Sequence, residues 1–228
     1  MKERKRPCSG HLGWVHRELG ALERAREHDT EAVRLAREWP IWGPESEVLL
    51  NLCVDDVRVG HAERASALLE ELHAKAEGSS WLRWVSDLRL SAASAEHWAA
   101  RGDPSQATEH AARLADLARR LRAWNYLGAA ERIRGGAALE LGQDLEGAAR
   151  RLETALTALR RTPAPLEAWK TARLLGVLRR RLGDTEGARS AFAEAARSVR
   201  TIAEGVRNDA LREGFLRLAA VREVLDAA

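Results

Sequence analysis

Apolar residues recur at three- and four-residue steps along most of the chain, and the pattern is broken at regular intervals by glycine. In residues 166–181 the positions Ala168, Trp169, Ala172, Leu175, Gly176 and Leu178 fall on one helical face. Gly183 then stops the pattern, as a left-handed residue after a helix does. Asp184 offers a carboxylate cap, and Glu186 places favourable charge in the next first turn. A second apolar face follows on Ala188, Phe192, Ala195 and Val199. The stretch predicts a helix, a tight turn and a second helix. The same punctuation, a glycine and then a small residue, occurs at Gly20/Ala25, Gly60/Ala65, Gly102/Ala107, Gly142/Ala148 and Gly183/Ala188. The glycines are spaced by 40, 42, 40 and 41 residues. A period held from end to end predicts an all-α, αα-solenoid of about five helix-turn-helix units with a C-terminal capping segment.

The expected organisation is a frayed N-terminus over 1–8, a solenoid over 9–205 and a cap over 206–228. The units fall at about 9–39, 45–77, 80–122, 124–161 and 165–203. Proline, glycine and serine mark the connections at 39–44, 77–80 and 162–165, and the break near 122–125 is weaker. Pro104 suits a first helical turn. One extra residue in Gly142-Gln143-Asp144 accounts for the longer step to Ala148. Gly13 in the first unit and Gly176 in the fifth hold matching places. Gly176 and Ala188 let paired helices approach, with Leu175 and Phe192 filling the surrounding space.

Composition narrows the function classes. Hydrophobic residues make up 45% and charged residues 31%, with 37 basic against 34 acidic side chains and a formal charge of +3. Charge so evenly mixed reads as solvated helix faces with Glu/Arg pairs, and nucleic acid is disfavoured as a partner. Cys53 lies in an apolar run and reads as a small core residue, while Cys8 lies in the N-terminal stretch. The basic residues 1–7 precede no apolar run, so they do not read as a signal peptide. No stretch approaches the ~20 apolar residues of a membrane helix, so a cytoplasmic setting is expected. Of the eight tryptophans, Trp14, Trp98 and Trp169 are expected at buried or half-buried helix positions. Trp39, Trp42, Trp81 and Trp84 cluster at the connections, either filling wedges between units or serving as interface anchors.

No phosphate loop, dinucleotide fingerprint or nucleophile elbow is present, so no catalytic residues and no cofactor are expected. The histidines His11, His16, His28, His61, His73, His97 and His110 are scattered. His11 and His16 suit no single helical face, and no metal site is expected.

The repeated residues Leu12-Gly13, Gly20, Ala25 and Ala32, with Leu175-Gly176, Gly183-Asp184, Ala188, Phe192 and Ala195, resemble the tetratricopeptide repeat. Units one and five carry the resemblance best, and it extends over nearly the whole chain. The units exceed the family's usual length of about 34 residues. In this they are similar to the long, MalT-like arrays of bacterial ATPase-type regulators, nucleotide cyclases and kinases. The resemblance implies a right-handed superhelix whose concave groove, lined by the first helix of each unit, binds a protein or peptide without catalysis. It also implies candidate partner-binding residues, Arg132, Arg134, Lys170, Arg173, Arg180 and Arg181, as a positive stripe in that groove. The alternative is that these side chains pair with nearby glutamates. Lys170, Arg173, Arg132 or Arg134, and Asn51 do not make the family's full carboxylate clamp. Two function classes stay open: a binding scaffold, or the regulatory portion of a larger ATP-dependent regulator, cyclase or kinase with a missing N-terminal domain or self-association. An RNA-binding helical repeat is a minor alternative.

Overall fold

The computed structural model describes residues 9–38, 44–77, 83–162 and 164–228. Among the described residues there are twelve helices and no strand. Ten form five hairpins: α1 (Ser9–Glu18) with α2 (Leu22–Glu38), α3 (Pro44–Val59) with α4 (Ala62–Glu77), and α5 (Arg83–Ala100) with α6 (Pro104–Leu121), then α7 (Trp124–Leu141) with α8 (Leu145–Leu159) and α9 (Pro165–Arg181) with α10 (Thr185–Gly205). Two short helices follow, α11 (Asp209–Arg217) and α12 (Ala219–Asp226). Each helix packs on the next in sequence. The first helices of the hairpins, α1, α3, α5, α7 and α9, also pack on one another in order. This is the two-layer stacking of a helical-repeat solenoid. The expected frayed segment 1–8, with Cys8, lies outside the described residues, as do Trp39, Trp42 and Trp81.

The turn glycines close the hairpins by one local device. Gly20, Gly60, Gly102, Gly142 and Gly183 have φ of 81°, 90°, 69°, 65° and 82°. Any L side chain is strained there, whereas glycine is not. Asp103 and Asp184 then cap α6 and α10, each carboxylate accepting from the backbone N–H three residues on, at 2.9 Å in both cases. The longer fourth turn places Asp144 in the left-handed region as well, at φ 50°. The weak break before α7 is made without glycine. Arg122 itself takes φ 54° and its side chain is exposed. A left-handed L residue costs about 1–2 kcal/mol, and glycine returns about 0.5–1 kcal/mol of that as lost chain entropy. Arg122→Gly is therefore expected to raise the thermal midpoint by about 1–3 °C. A lower midpoint in calorimetry would contradict the strain.

Within each hairpin one pair of facing positions sets the approach. On the first helices it is occupied by Gly13, Cys53, Ala95, Gly135 and Gly176, all small. On the second helices it is occupied by Asp29, Leu69, Ala111, Leu152 and Phe192, all buried. A Cβ on Gly176 would stand 2.8 Å from the Phe192 ring, so the glycine is the space the ring fills. The residues following the turns, Ala25, Ala65, Ala107, Ala148 and Ala188, are buried too. The Cys53 thiol, fully buried and pushed up to about 12 chiefly by that burial, serves as packing.

The C-terminal helices join the core of the last two hairpins. Phe215, Val221 and Val224 are fully buried there, and Phe215 meets Trp169 edge-on at 6.2 Å between ring centroids. Of the tryptophans expected at buried positions, Trp169 is buried and Trp98 half-buried, stacked on His110. Trp14 is a correction: it is 43% exposed, alongside exposed Leu12 and Val15, because no described helix covers that side of α1. Trp84, at the start of α5, is also exposed.

Candidate functional site

An open cavity of about 680 Å³ lies among the first helices, with Pro104 and Ala107 of α6 and Ala220 of α12 completing its wall. One part of its wall is apolar and finely built: Ala99, Ala100 and Ala107 from the third unit, Ile133, Gly136 and Ala137 from the fourth. The other part is ionic, with Arg58, Glu96, Arg132, Lys170 and Arg173.

The ionic part belongs to a cycle of alternating charges that leaves α9 and returns to it. Lys170 on α9 bonds Glu18 on α1. Glu18 also accepts from Arg58 on α3 at 3.2 Å, and Arg58 reaches Glu96 on α5 at 4.0 Å. Glu96 meets Arg132 on α7 at 3.7 Å, and Arg132 donates through Nε to Glu167 at 3.0 Å. Glu167 stands one helical turn from Lys170 on α9, so the alternating charges begin and end on the same helix. Burial alone pushes the Glu18 carboxyl up, but Lys170 and Arg58 outweigh it and hold it at about 2. Burial likewise disfavours charge on Arg132, yet Glu167 and Glu96 raise its affinity for the proton. Glu18, Arg58 and Arg132 are thus all held in their charged forms at neutral pH.

The six basic residues singled out from the sequence therefore separate. Arg132, Lys170 and Arg173 reach the cavity together. Each is bound to a carboxylate, with Arg173 donating to Glu223 on α12 at 2.6 Å. Arg134 points to the opposite side of α7. There it joins Arg119 and Arg151 around the buried Glu131, at 3.1, 2.7 and 3.5 Å respectively. Arg180 lies over the Phe192 ring at 4.6 Å from the centroid, and Arg181 is exposed. Glu18, Arg58 and Glu96 were missed because they belong to units far away in sequence. Asn51, from the incomplete clamp, is buried and accepts from Arg89 at 2.7 Å. Among the described residues no cluster of three or more His, Cys, Asp or Glu stands ready for a metal ion, and no helix is long and apolar enough to cross a membrane.

The fold recurs in solved structures. A thermophilic TPR protein of Thermus thermophilus superimposes with a TM-score of 0.62 at 18% identity, covering 95% of this chain and 97% of that one. The fold is that of a tetratricopeptide-repeat (TPR) solenoid. BtubC from P. vanneervenii aligns with this chain at a TM-score of 0.60 and 17% identity, over 93% of this chain and 85% of that one. The nearly identical TPR-like repeats of a putative kinesin light chain of Podosopora anserina align at 0.54 and 17% identity, over 90% and 100%. No protein-family model matches the sequence, and no curated protein matches it either. At these identities the likeness concerns the fold, and this chain's own residues must carry its function.

Proposed function

We propose that the chain is a non-enzymatic scaffold that binds a short segment of a protein or peptide partner in the cavity among its first helices. The observation that carries this reading is the cavity itself, about 680 Å³, with an apolar wall beside an ionic one. Sites that take up small ligands run from about 300 to 1,000 Å³ and combine apolar surface with a few oriented polar groups. Arg132, Lys170 and Arg173 orient the ligand from the ionic side. The family resemblance supports a setting in bacterial signalling or transcriptional regulation, in the cytoplasm.

Gly136 provides the test. It lines the cavity, and a Cβ added there meets nothing within 4 Å. Gly136→Leu fills the cavity while replacing a mid-helix glycine, which favours the helix by about 0.5–1 kcal/mol. With a displayed random-peptide library as probe, the wild-type chain is expected to enrich a defined motif. Gly136→Leu is expected to lose that enrichment with no fall in thermal midpoint. Enrichment that survives Gly136→Leu, or none with the wild type, would refute binding in the cavity.

A second reading draws on the exposed Leu12, Trp14 and Val15 of α1. That face suits cover by a further domain or chain, as in the regulatory arm of a larger assembly.

A further inference from the structure

The two ends of the array touch. Besides the Glu18–Lys170 bond, Leu19 is buried in the core cluster of the last two hairpins, and the Leu218 side chain lies where a Cβ on Gly20 would stand, 2.6 Å away. Residues 18–20 of the first hairpin therefore sit against α9 and the start of α12. An open solenoid is held only by contacts between successive units. Contact between the first and last units is an addition to that scheme.

We propose that this seam is a latch, a contact that shuts the superhelix around its own cavity and limits the cavity to a short segment. The seam is thin: α1 packs along α2 and α3, whereas its contacts with α9 and Leu218 described above lie at residues 18–20. Its central element is an ion pair with side chains 9% and 18% exposed. Parting the pair lets water rehydrate both charges, so opening the seam costs less than unfolding a hairpin, which also exposes an apolar core. The charge cycle makes closure cooperative, because Glu18 is held by Arg58 as well as by Lys170. Opening the seam breaks the cycle at one place and leaves Arg58–Glu96–Arg132–Glu167 intact on α3, α5, α7 and α9. With the seam shut, the cavity admits a short segment. With the seam open, the inner wall becomes a continuous groove for a longer one. This goes beyond the binding proposal, since the latch is read without any ligand.

Spin labels on cysteines replacing the exposed Arg24 and Arg222, in a chain with Cys8→Ser, report the separation of α2 and α12. The buried Cys53 stays unlabelled. The parent is expected to give one narrow distance distribution. Glu18→Lys sets like charges against both Lys170 and Arg58, and Lys170→Glu sets one carboxylate against another from the opposite side. Each is expected to lengthen the distance by roughly a helix diameter, about 10 Å. Each is also expected to increase binding of a hydrophobic dye, with helical circular dichroism unchanged. An unchanged distance in both variants would overturn the latch. So would loss of helix in both, since the seam would then belong to the cooperative core.

Discussion

Arg17→Met is expected to destabilise the chain by about 3–5 kcal/mol, the usual result of removing one partner from a buried ionic cluster. Arg17 and the carboxylates of Asp29 and Asp55 are all buried at the junction of α1, α2 and α3. The guanidinium donates to Asp55 at 2.6 Å and to the Asn51 carbonyl at 3.1 Å, and approaches Asp29 at 3.4 Å. Without it, two carboxylates share a dry site with no cation. Because stability in a repeat array is local, the loss should concentrate in the first hairpin. Hydrogen exchange is expected to speed up in α1 and α2 and to stay slow in α9 and α10. The triple variant Arg17→Met, Asp29→Leu, Asp55→Leu is expected to recover most of the stability, since a buried ionic cluster replaced by packed apolar groups is often neutral or better. If Arg17→Met alone melts within about 1 kcal/mol of the parent, the cluster is not what joins these helices.

The scaffold was legible in the sequence because its determinants are local. A glycine at positive φ and a small residue five or six positions later act within one hairpin, and the five copies reinforce one another. The charge cycle was not legible in the same way. Its members drift against the repeat. Glu18 and Arg58 come five residues after the small packing residues Gly13 and Cys53, Glu96 one after Ala95, Arg132 three before Gly135, and Lys170 six before Gly176. The cycle thus steps back along successive first helices as the superhelix climbs, which lets the end of α1 meet the first half of α9. Aligning the units column by column hides this. Arg132, Lys170 and Arg173 were identified as cations, but their acidic partners on other units became visible only in three dimensions. The fate of Trp14 has a similar cause. Its helical position is that of a packed residue, and only the arrangement of neighbours shows that the face is bare. Asp29, by contrast, had a signal in the repeat register: one carboxylate in a column otherwise filled by Leu69, Ala111, Leu152 and Phe192.

That same column makes Asp29→Asn the most direct probe of what the carboxylate costs. Gly13 leaves room for it, since a Cβ there would stand 2.2 Å from Asp29 Oδ1. Burial pushes the Asp29 carboxyl up to about 8, and the charge of Asp55 adds to the shift against the opposing pull of Arg17. Asp29 Oδ1 and Asp55 Oδ2 are buried without a donor, which a proton carried on Asp29 and donated to Asp55 resolves. The folded state thus holds a proton that the unfolded chain releases near pH 3.8. The sign follows: this group's contribution is fully present below about 3.8 and is lost as pH rises to about 8, on the order of 1.4 kcal/mol per pH unit. An asparagine at position 29 donates through its amide and carries no proton to lose. Asp29→Asn is therefore expected to be more stable than the parent at neutral and alkaline pH. The gap should widen from pH 5 to about 8 and then stay level, as measured by urea unfolding at a series of pH values. A gap that does not change with pH, or a variant weaker than the parent at pH 8, would mean that both carboxylates are ionised in the folded state and that Arg17 alone holds them.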